Sequence, residues 1–331
     1  MIKVSSEFIN SPVVSVILCT YNQEKTIENT IDCALTQQCN FPFEIIIGED
    51  CGTDNTRDIC INYQKKFPNL IKLILFEKNV GVVNNWLACI KEARGKYLTT
   101  CAGDDYWHNP NKLQIQVDFM ESNSSCGVLH TDYDELNSTN NKISHDFNLN
   151  HSINVLSGSN LQMDVFMGRL KLCGPTVCIR KELFDKYIPV EKYAELEFPI
   201  EDWPTWMILS RYCDIIYLPI STVTYRRGHE SLSNLANYDK IITKFKREKI
   251  MYKFVCDLFP DDLDFSESGY DSYVNNVLLT LAVKKWDYPS AKKYAKLLSL
   301  QGVYSSKIRI LQTRFGFLIY CILRRISKSF R

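Results

Sequence analysis

Near its start the chain carries a run of apolar, mostly β-branched residues, "PVVSVILC" at 12–19. An almost unbroken run of this kind is typical of a strand that is buried on both faces of a parallel sheet. A polar turn, "TYNQE", follows, and Ile27, Ile31, Ala34 and Leu35 then recur at helical spacing. The pattern therefore predicts a strand, a loop and a helix in that order.

The same order of strand, loop and helix is repeated along the next hundred or so residues. The later strands are "FEIIIG", "LIKLILF" and "KYLTTCA", and helices are expected near 56–66, near 82–94 and from about Asn109. Four units of roughly 30 residues each predict a doubly wound α/β sheet. Beyond 126 the pattern changes to short strands and loops, with an Asn/Ser-rich stretch at 137–152 expected as a mobile loop, and beyond 237 it becomes helical.

The loops after the four strands are the candidate site, because ligands of such sheets bind beyond the carboxyl ends of the strands. Their polar and glycine residues are Thr20, Tyr21, Asn22 and Glu24, then Glu49, Asp50 and Asp54, then Asn79 and Gly81, and finally Asp104 and Asp105. This set is acidic and amidic, and it lacks both G-x-G-x-x-G and the Walker Gly-Lys-Ser/Thr. The loops therefore disfavour a dinucleotide-binding protein or a phosphate-loop enzyme.

Composition and charge limit the class of protein further. Lys and Arg number 39 against 38 Asp and Glu, so a net charge of +1 gives no reason to expect nucleic acid as a partner. The thirteen cysteines form no C-x-x-C pair, which favours reduced thiols in a cytosolic protein. The sequence shows no signal-peptide pattern and no run of about 18 apolar residues, so we expect a cytoplasmic location.

Two adjacent carboxylates, Asp104 and Asp105, follow the fourth strand with no Lys or Arg in the run "TTCAGDDYWHNP". Adjacent carboxylates repel each other, so a neighbouring cation would stabilise them. Asp104 could instead cap the helix expected near Asn109 and Pro110, which would leave Asp105 solvated. The alternative is a divalent ion, Mg²⁺ or Mn²⁺, held by these carboxylates and by substrate phosphate oxygens. Three other acidic or amidic loops at the same sheet edge favour the metal.

Five blocks of the sequence resemble, in order and spacing, the family 2 glycosyltransferases with the GT-A fold. The blocks are "PVVSVILCTYNQEKTIENTIDCALTQQ", "FEIIIGEDCGTDNT", "NVGVVNNW", "GKYLTTCAGDDYW" and "EDWPTWM". The resemblance covers 10–230, which it identifies as a nucleotide-sugar glycosyltransferase domain with a mostly parallel sheet flanked by helices. Residues 231–331 are then a helical C-terminal region.

The resemblance also implies where the sugar nucleotide binds. In similar enzymes the first loop touches the nucleotide, which points to Thr20 and to Tyr21, whose ring could stack on a base. The acid that accepts the imide N–H of uracil falls on Asp50. The remaining candidates for the donor nucleotide are the other loop residues Asn22, Glu24, Asn79 and Gly81. For Asp54 we favour turn and helix-cap chemistry.

The family's Asp-x-Asp element aligns with residues 102–104, and here its first acid is replaced by Ala102. Asp104 and Asp105 are therefore left to serve the ribose and the metal. The later basic loop supplies two further candidates, Arg226 as a clamp on the diphosphate and His229 as a third metal ligand. Solvation of both side chains at the surface is an equal alternative.

The block "EDWPTWM" resembles the segment that supplies the catalytic base, which maps onto Asp202. An inverting transfer needs a carboxylate that accepts the proton of the acceptor hydroxyl as this attacks C1 of the sugar. A plain helix N-cap ahead of Pro204 is the structural alternative for both Glu201 and Asp202.

The C-terminal segment 303–331 carries seven Lys or Arg residues and no Asp or Glu. Apolar residues lie among these cations at helical spacing, namely Ile308, Leu311, Phe315, Leu318, Ile322 and Ile326. A basic amphipathic helix predicts contact with anionic lipid, here at the inner face of the cytoplasmic membrane. Packing on the catalytic domain or on the partner of a homodimer is the alternative.

Two functions therefore compete. The first is an inverting glycosyltransferase that moves a sugar from a nucleotide diphosphate sugar, with UDP favoured, to a saccharide or lipid-linked saccharide hydroxyl in surface polysaccharide synthesis. The second, prompted by Ala102, is a module that binds sugar nucleotide or glycan without turnover.

Overall fold

The structure is a computed structural model that describes residues 2–4, 11–227 and 237–329. Contacts within the chain divide it into two compact units, Met1–Glu230 and Ser231–Arg331. The first unit is built on a mixed sheet, and the second is helical.

Within the described residues the strands form one nine-stranded sheet. They are β1 (Ile2–Val4), β2 (Val14–Thr20), β3 (Phe43–Glu49), β4 (Ile71–Leu75), β5 (Tyr97–Ala102), β6 (Cys126–Asn137), β7 (Lys142–Ser144), β8 (Val177–Arg180) and β9 (Asp214–Arg227). The strand order is β1-β4-β3-β2-β5-β8-β6-β7, and β9 pairs with β6 on its other side.

The helices of the first unit begin with the four that the sequence predicts and continue with five that it does not. They are α1 (Ile27–Leu35), α2 (Thr56–Lys66), α3 (Val82–Glu92), α4 (Lys112–Ser122), α5 (Phe147–His151), α6 (Gln162–Phe166), α7 (Lys181–Tyr187), α8 (Val190–Glu195) and α9 (Asp202–Leu209), with a 3₁₀ turn at Gly174–Thr176. The predicted helices near 56–66 and 82–94 are confirmed as α2 and α3.

The four predicted parallel strands form the centre of the sheet. β2 pairs in parallel with β3 and with β5, and β3 pairs in parallel with β4. Their apolar runs are buried on both faces, as Val16, Ile17 and Leu18 of β2 illustrate with exposures of 0–1%. The doubly wound α/β prediction is therefore confirmed for this half of the unit.

Beyond β5 the sheet becomes mixed. β8 lies antiparallel between β5 and β6, while β9 runs parallel to β6 over most of its length. Because Thr224 of β9 forms a bridge with Tyr106, which follows β5, the last residues of β9 reach the predicted site.

The stretch at 137–152 is not the mobile loop that its composition predicts. It contains β7 and α5, and two carboxylates of β6 hold it in place. Asp132 accepts hydrogen bonds from the backbone N–H groups of Asn148 and Leu149 at 2.9 and 3.0 Å, and Asp134 accepts one from Asp146 at 3.1 Å.

The second unit is formed by α10 (Tyr238–Leu258), α11 (Glu267–Lys284), α12 (Tyr288–Leu300), α13 (Ser306–Leu311) and α14 (Arg314–Ser329). The C-terminal segment is thus two helices, and its predicted single apolar face is wrong. Ile308 and Leu311 are buried in the core of the unit, whereas Phe315, Leu318 and Ile322 are exposed. The side chain of Ile326 lies outside the described part. In the described ranges no helix combines the length and the apolarity needed to cross a bilayer.

Candidate active site

The predicted loops meet at one edge of the sheet. Thr20 ends β2 opposite Glu49 at the end of β3, and Cys19 of β2 lies opposite Ala102 at the end of β5. Because these strands are parallel and in register, the residues that follow them emerge side by side.

The acidic turn after β5 is held by hydroxyl groups from α1 and the turn before it. Thr26 donates a hydrogen bond to the carbonyl of Gly103 at 2.7 Å, and Thr30 donates one to the carbonyl of Asp105 at 2.6 Å. These bonds fix the backbone of the turn and do not involve the carboxylates of Asp104 and Asp105. The alternative that Asp104 caps α4 is wrong, since the N-cap residue of this helix is Asn111.

The Asp105 carboxylate is buried, with 1% of the residue exposed. Its Oδ1 accepts a hydrogen bond from the backbone N–H of Arg226 at 2.8 Å. Burial, followed by the negative charge of Asp104, raises the pKa of Asp105 well above the usual range of an aspartate. A bound cation would lower this electrostatic cost, because it would favour the charged form of both side chains.

Of the two predicted basic residues, the structure describes Arg226 but not His229. Arg226 donates its backbone N–H to Asp105, and its guanidinium carbon lies 5.0 Å from the centre of the Tyr106 ring. At this edge of the sheet Arg226 therefore also acts through its backbone N–H, which the sequence did not indicate. His229, predicted as a metal ligand, lies outside the described residues.

The first loop is tied to the acidic turn. Thr20 is buried, and its hydroxyl donates a hydrogen bond to Gln23 at 2.7 Å. Gly103 packs so closely on these two side chains that a Cβ atom at this position would collide with both. Tyr21, by contrast, is 45% exposed, so its ring is available to a ligand.

Two predicted nucleotide residues of the same loop hold the neighbouring loop. Asn22 accepts a hydrogen bond from the backbone N–H of Thr53 at 2.7 Å, and Glu24 accepts one from Asn55 at 3.1 Å. Asp54 accepts the N–H of Thr56, the first residue of α2, at 3.0 Å, which confirms its predicted turn chemistry, although the N-cap residue of α2 is Asn55. The described contacts of Asn22 and Glu24 therefore assign them to loop structure, and their role at a nucleotide stays a prediction.

Asp50 organises the third loop. Its carboxylate accepts hydrogen bonds from the backbone N–H groups of Val80 at 2.7 Å and Gly81 at 2.9 Å. Gly81 has a φ of +86°, which favours glycine, and Asn79 donates a hydrogen bond to the carbonyl of Asp50 at 3.3 Å. Burial raises the pKa of Asp50. Each carboxylate oxygen can accept more than one bond, so base recognition by Asp50 stays a prediction.

Glu49 has a structural partner that the sequence did not reveal. The residue is fully buried, and Oε2 accepts a hydrogen bond from Nε of Arg57 in α2 at 2.5 Å. Arg57 also donates to the carbonyl of Phe76, just beyond β4. This ion pair, in which Glu49 is buried and Arg57 is about a third exposed, joins the ends of two strands to a helix.

Asp202 is the first residue of α9, and Glu201 precedes it at the N-cap position. Oδ1 of Asp202 accepts the backbone N–H of Trp203 at 2.6 Å, while Glu201 makes no side-chain cap bond. Burial, followed by the charge of Asp202, raises the pKa of Glu201 well above that of an ordinary glutamate. The predicted N-cap alternative is therefore wrong for the Glu201 side chain, although Asp202 does bind a first-turn N–H.

The pKa values of Cys173 and Tyr225 are both raised in part by aspartates from two places, the turn after β5 and the start of α9. Burial raises the pKa of Cys173, and the next largest causes are the charges of Asp105 and Asp202. Burial also raises the pKa of Tyr225, which the same two aspartates and Asp104 raise further. The turn after β5 and the start of α9 therefore both contribute charge that raises the pKa of these two side chains. Sequence reasoning missed both residues, since a lone thiol and a lone tyrosine carry no signal by themselves.

The donor set of this region suits a hard divalent cation. Within the described ranges no three His, Cys, Asp or Glu side chains form a ready-made metal site. Asp104 and Asp105 are nevertheless sufficient for Mg²⁺ or Mn²⁺, which bind one or two carboxylates and complete their shell with water and phosphate oxygens. The raised pKa of buried Asp105 beside a second carboxylate fits this requirement.

Parallel strands with acidic loops beyond their carboxyl ends place the first unit among the α/β folds that bind ligands at that edge of the sheet. The sequence profile of "Glycosyl transferase family 2" matches residues 15–188. The chain belongs to this family, as its five blocks predicted.

Comparison with other proteins supports the family and the GT-A fold. The chain is 24% identical over 302 residues to the dTDP-rhamnosyl transferase RfbG of Shigella flexneri, covering 86% of this chain and 98% of RfbG. Residues 1–349 of S. aureus TarS, solved with UDP-GlcNAc, superpose with a TM-score of 0.56 at 18% identity, covering 96% of this chain and 92% of TarS 1–349.

A second solved structure has the same fold. The mannosyltransferase PcManGT of Pyrobaculum calidifontis, in complex with GDP-Man and Mn²⁺, gives a TM-score of 0.52 at 14% identity, covering 97% of this chain and 89% of that protein. At such identities the likeness concerns the fold. Mycobacterial relatives that are 40% identical match over 115 residues, so the chain spans about a third of their length.

Proposed function

We propose that this protein is an inverting glycosyltransferase that transfers a sugar from a UDP-sugar to a hydroxyl of a saccharide or a lipid-linked saccharide, in surface polysaccharide synthesis. The observation that carries the proposal is the acidic turn of Asp104 and buried Asp105 beyond β5, in a chain that also supplies Asp202 at the start of α9. A donor diphosphate and an acceptor hydroxyl need such acids on opposite sides of one reacting carbon.

The donor nucleotide is proposed to lie on the first two loops. The exposed ring of Tyr21 is available for stacking on a base, and buried Asp50 can accept an imide N–H. Uracil and thymine both carry this N–H, which agrees with the UDP-GlcNAc bound by TarS and the dTDP-sugar in the name of RfbG. Thr20 and Arg226 would flank the ribose and the diphosphate.

Asp104 and Asp105 would hold the divalent ion. When bound, this ion supplies positive charge that stabilises the departing diphosphate. The chain's own contribution is to fix the backbone of the acidic turn through the hydroxyl groups of Thr26 and Thr30, and the Asp105 carboxylate through the N–H of Arg226. The Mn²⁺ found with PcManGT supports such a site.

Asp202 is proposed as the base that accepts the proton of the acceptor hydroxyl. Burial, followed by the charge of Asp202, raises the pKa of its neighbour Glu201, so Glu201 holds a proton more readily than an ordinary glutamate. The acceptor would approach from the side of α9, and the reaction would take place on the cytoplasmic side of a membrane.

The test is release of UDP from a panel of UDP-sugars in the presence of Mn²⁺ and saccharide acceptors. Asp202→Asn keeps the oxygen that accepts the Trp203 N–H, so the fold should persist while kcat falls by about 10²- to 10⁴-fold. Asp118→Asn changes an exposed carboxylate of α4 and serves as the matched control, with kcat unchanged.

Two outcomes would contradict the proposal. Equal turnover by wild type and Asp202→Asn would remove Asp202 from the reaction. Binding of a UDP-sugar by a wild type that turns over none of the panel would favour the binding-module function.

A further inference from the structure

The last helix presents an apolar face that the second unit does not cover. Exposed fractions of large apolar residues along α14 are 76% for Phe315, 43% for Leu318, 41% for Ile319, 49% for Ile322 and 60% for Leu323. Their spacing of three and four residues places them on one side of the helix. We call these five residues the α14 face.

The orientation of α14 is fixed by its opposite side. Phe317 and Cys321 are 1% and 4% exposed, and both belong to the core of the second unit. The Phe317 ring packs on Tyr288 with 5.6 Å between ring centres. The helix is therefore docked on the unit through one apolar side while a second apolar side stays outside.

The exposed surface continues onto α13. Ile310 is 43% exposed, and it packs so closely on Gly316 that a Cβ atom there would collide with it. A helix on the surface of a water-soluble unit normally exposes its polar side. A contiguous apolar surface that includes Phe315 at 76% exposure indicates a binding surface.

The charge of this part of the chain indicates which kind of partner the α14 face binds. Residues 288–331 contain ten Lys or Arg residues and no Asp or Glu. Arg309 in α13 and Arg314, the first residue of α14, are exposed. A second copy of the chain would bring an equally basic surface against this one, which like charges disfavour, whereas anionic lipid headgroups complement it.

We propose that the α14 face, with Ile310, is a membrane-docking surface that lies in the plane of an anionic lipid interface. The 16 residues of α14 extend about 24 Å, which suits a helix lying at the surface. Apolar side chains would enter the boundary between headgroups and acyl chains, and the basic residues would contact lipid phosphates. This inference concerns binding alone, so it holds or fails independently of the proposed transfer reaction.

The test is co-sedimentation of the full-length protein with vesicles, without any sugar nucleotide. Vesicles of phosphatidylcholine are compared with vesicles in which a third of the lipid is phosphatidylglycerol. We expect binding to the anionic vesicles that weakens with added salt, since screening reduces each basic contact. Sedimentation with neutral vesicles to the same extent, or with neither type, would overturn the proposal.

Substitutions assign the binding to the α14 face. The pair Phe315→Ser with Leu323→Ser changes two exposed side chains and should reduce vesicle affinity by about tenfold or more. Arg309→Gln with Arg314→Gln should reduce it by about fivefold for each charge. Met167→Ser, which alters a 60% exposed apolar residue of the first unit, is the control and should bind as wild type does.

Sedimentation equilibrium of the same proteins separates a lipid surface from a second copy. We expect wild type and the Phe315/Leu323 variant to have the same mass without vesicles. A wild-type dimer that becomes monomeric in this variant would assign the face to self-association and overturn the lipid proposal, as would a variant that sediments with vesicles as wild type does.

Discussion

Tyr21 is the first-loop residue whose side chain is most available to a ligand. Its neighbours Thr20 and Asn22 are committed to hydrogen bonds within the protein, whereas 45% of Tyr21 is exposed. Tyr21→Ala should therefore weaken UDP binding by about 1–3 kcal/mol through lost base stacking, without changing the thermal midpoint of the ligand-free protein. Titration calorimetry with UDP and Mn²⁺ measures this. Tyr21→Phe keeps the ring and should bind as wild type does, and an equal loss in both variants would contradict stacking.

Lys112 is a buried cation whose described contacts are neutral. Its Nζ donates hydrogen bonds to Gln116 at 2.7 Å and Thr99 at 3.1 Å, and it lies 4.3 Å from the centre of the Trp107 ring. Burial lowers the pKa of Lys112 from 10.5 to about 8. The folded protein therefore bears the cost of a buried charge below pH 8 and loses that cost as the pH rises.

This shift predicts how stability depends on pH. Between pH 8 and 10.5 the unfolded chain holds the proton of Lys112 more tightly than the folded chain, so the free energy of unfolding rises with pH. Relative to Lys112→Met, the wild type should gain about 3 kcal/mol between pH 7 and pH 10.5. Urea unfolding of both proteins across this range measures the difference, which cancels other titrating groups. A difference that does not change with pH would contradict the burial of an ionisable amine.

At the scale of elements, the ion pair of Glu49 and Arg57 joins the end of β3 to α2. Glu49 is fully buried, so Arg57→Ala would leave its carboxylate without this partner. Arg57 is about a third exposed, so we expect the free energy of unfolding to fall by about 2 kcal/mol as buried Glu49 loses a charged hydrogen-bond partner. Urea unfolding followed by tryptophan fluorescence measures the loss.

An exposed ion pair provides the matched control. Lys192 and Glu195 of α8 approach to 2.7 Å, yet both side chains are about half exposed. Lys192→Ala should cost less than about 1 kcal/mol, since surface pairs are screened by water. Equal losses in the two variants would mean that burial does not set the strength of the Glu49 pair.

The elements β7 and α5 depend on contacts with residues outside their own stretch of sequence, which no local pattern encodes. The Asn/Ser-rich stretch at 137–152 has the composition of a loop, but Asp132 and Asp134 of β6 bind its backbone N–H groups and so support β7 and α5. The parallel strands β2 to β5 were predictable because each one is a buried apolar run whose signal is complete within a few residues.

At the scale of the whole molecule, the two units have separate cores and different charge. The core of the first unit centres on β2 to β5, and that of the second on α11 to α14. Basic residues without acidic ones are concentrated in 288–331, so the rest of the chain is net acidic. The proposed lipid contact therefore belongs to the second unit, and the proposed transfer reaction belongs to the first.

The sequence by itself determined the family, the succession of the parallel strands along the chain and the acids that follow them, because burial and turn chemistry are local properties. Only the tertiary structure decided which of those acids hold the protein together. Asp50 binds a loop 30 residues away, and Asp105 accepts the N–H of Arg226, 121 residues away. It likewise decided which apolar residues of α13 and α14 are buried, because helical spacing gives their positions around a helix but not which of them the neighbouring helices cover.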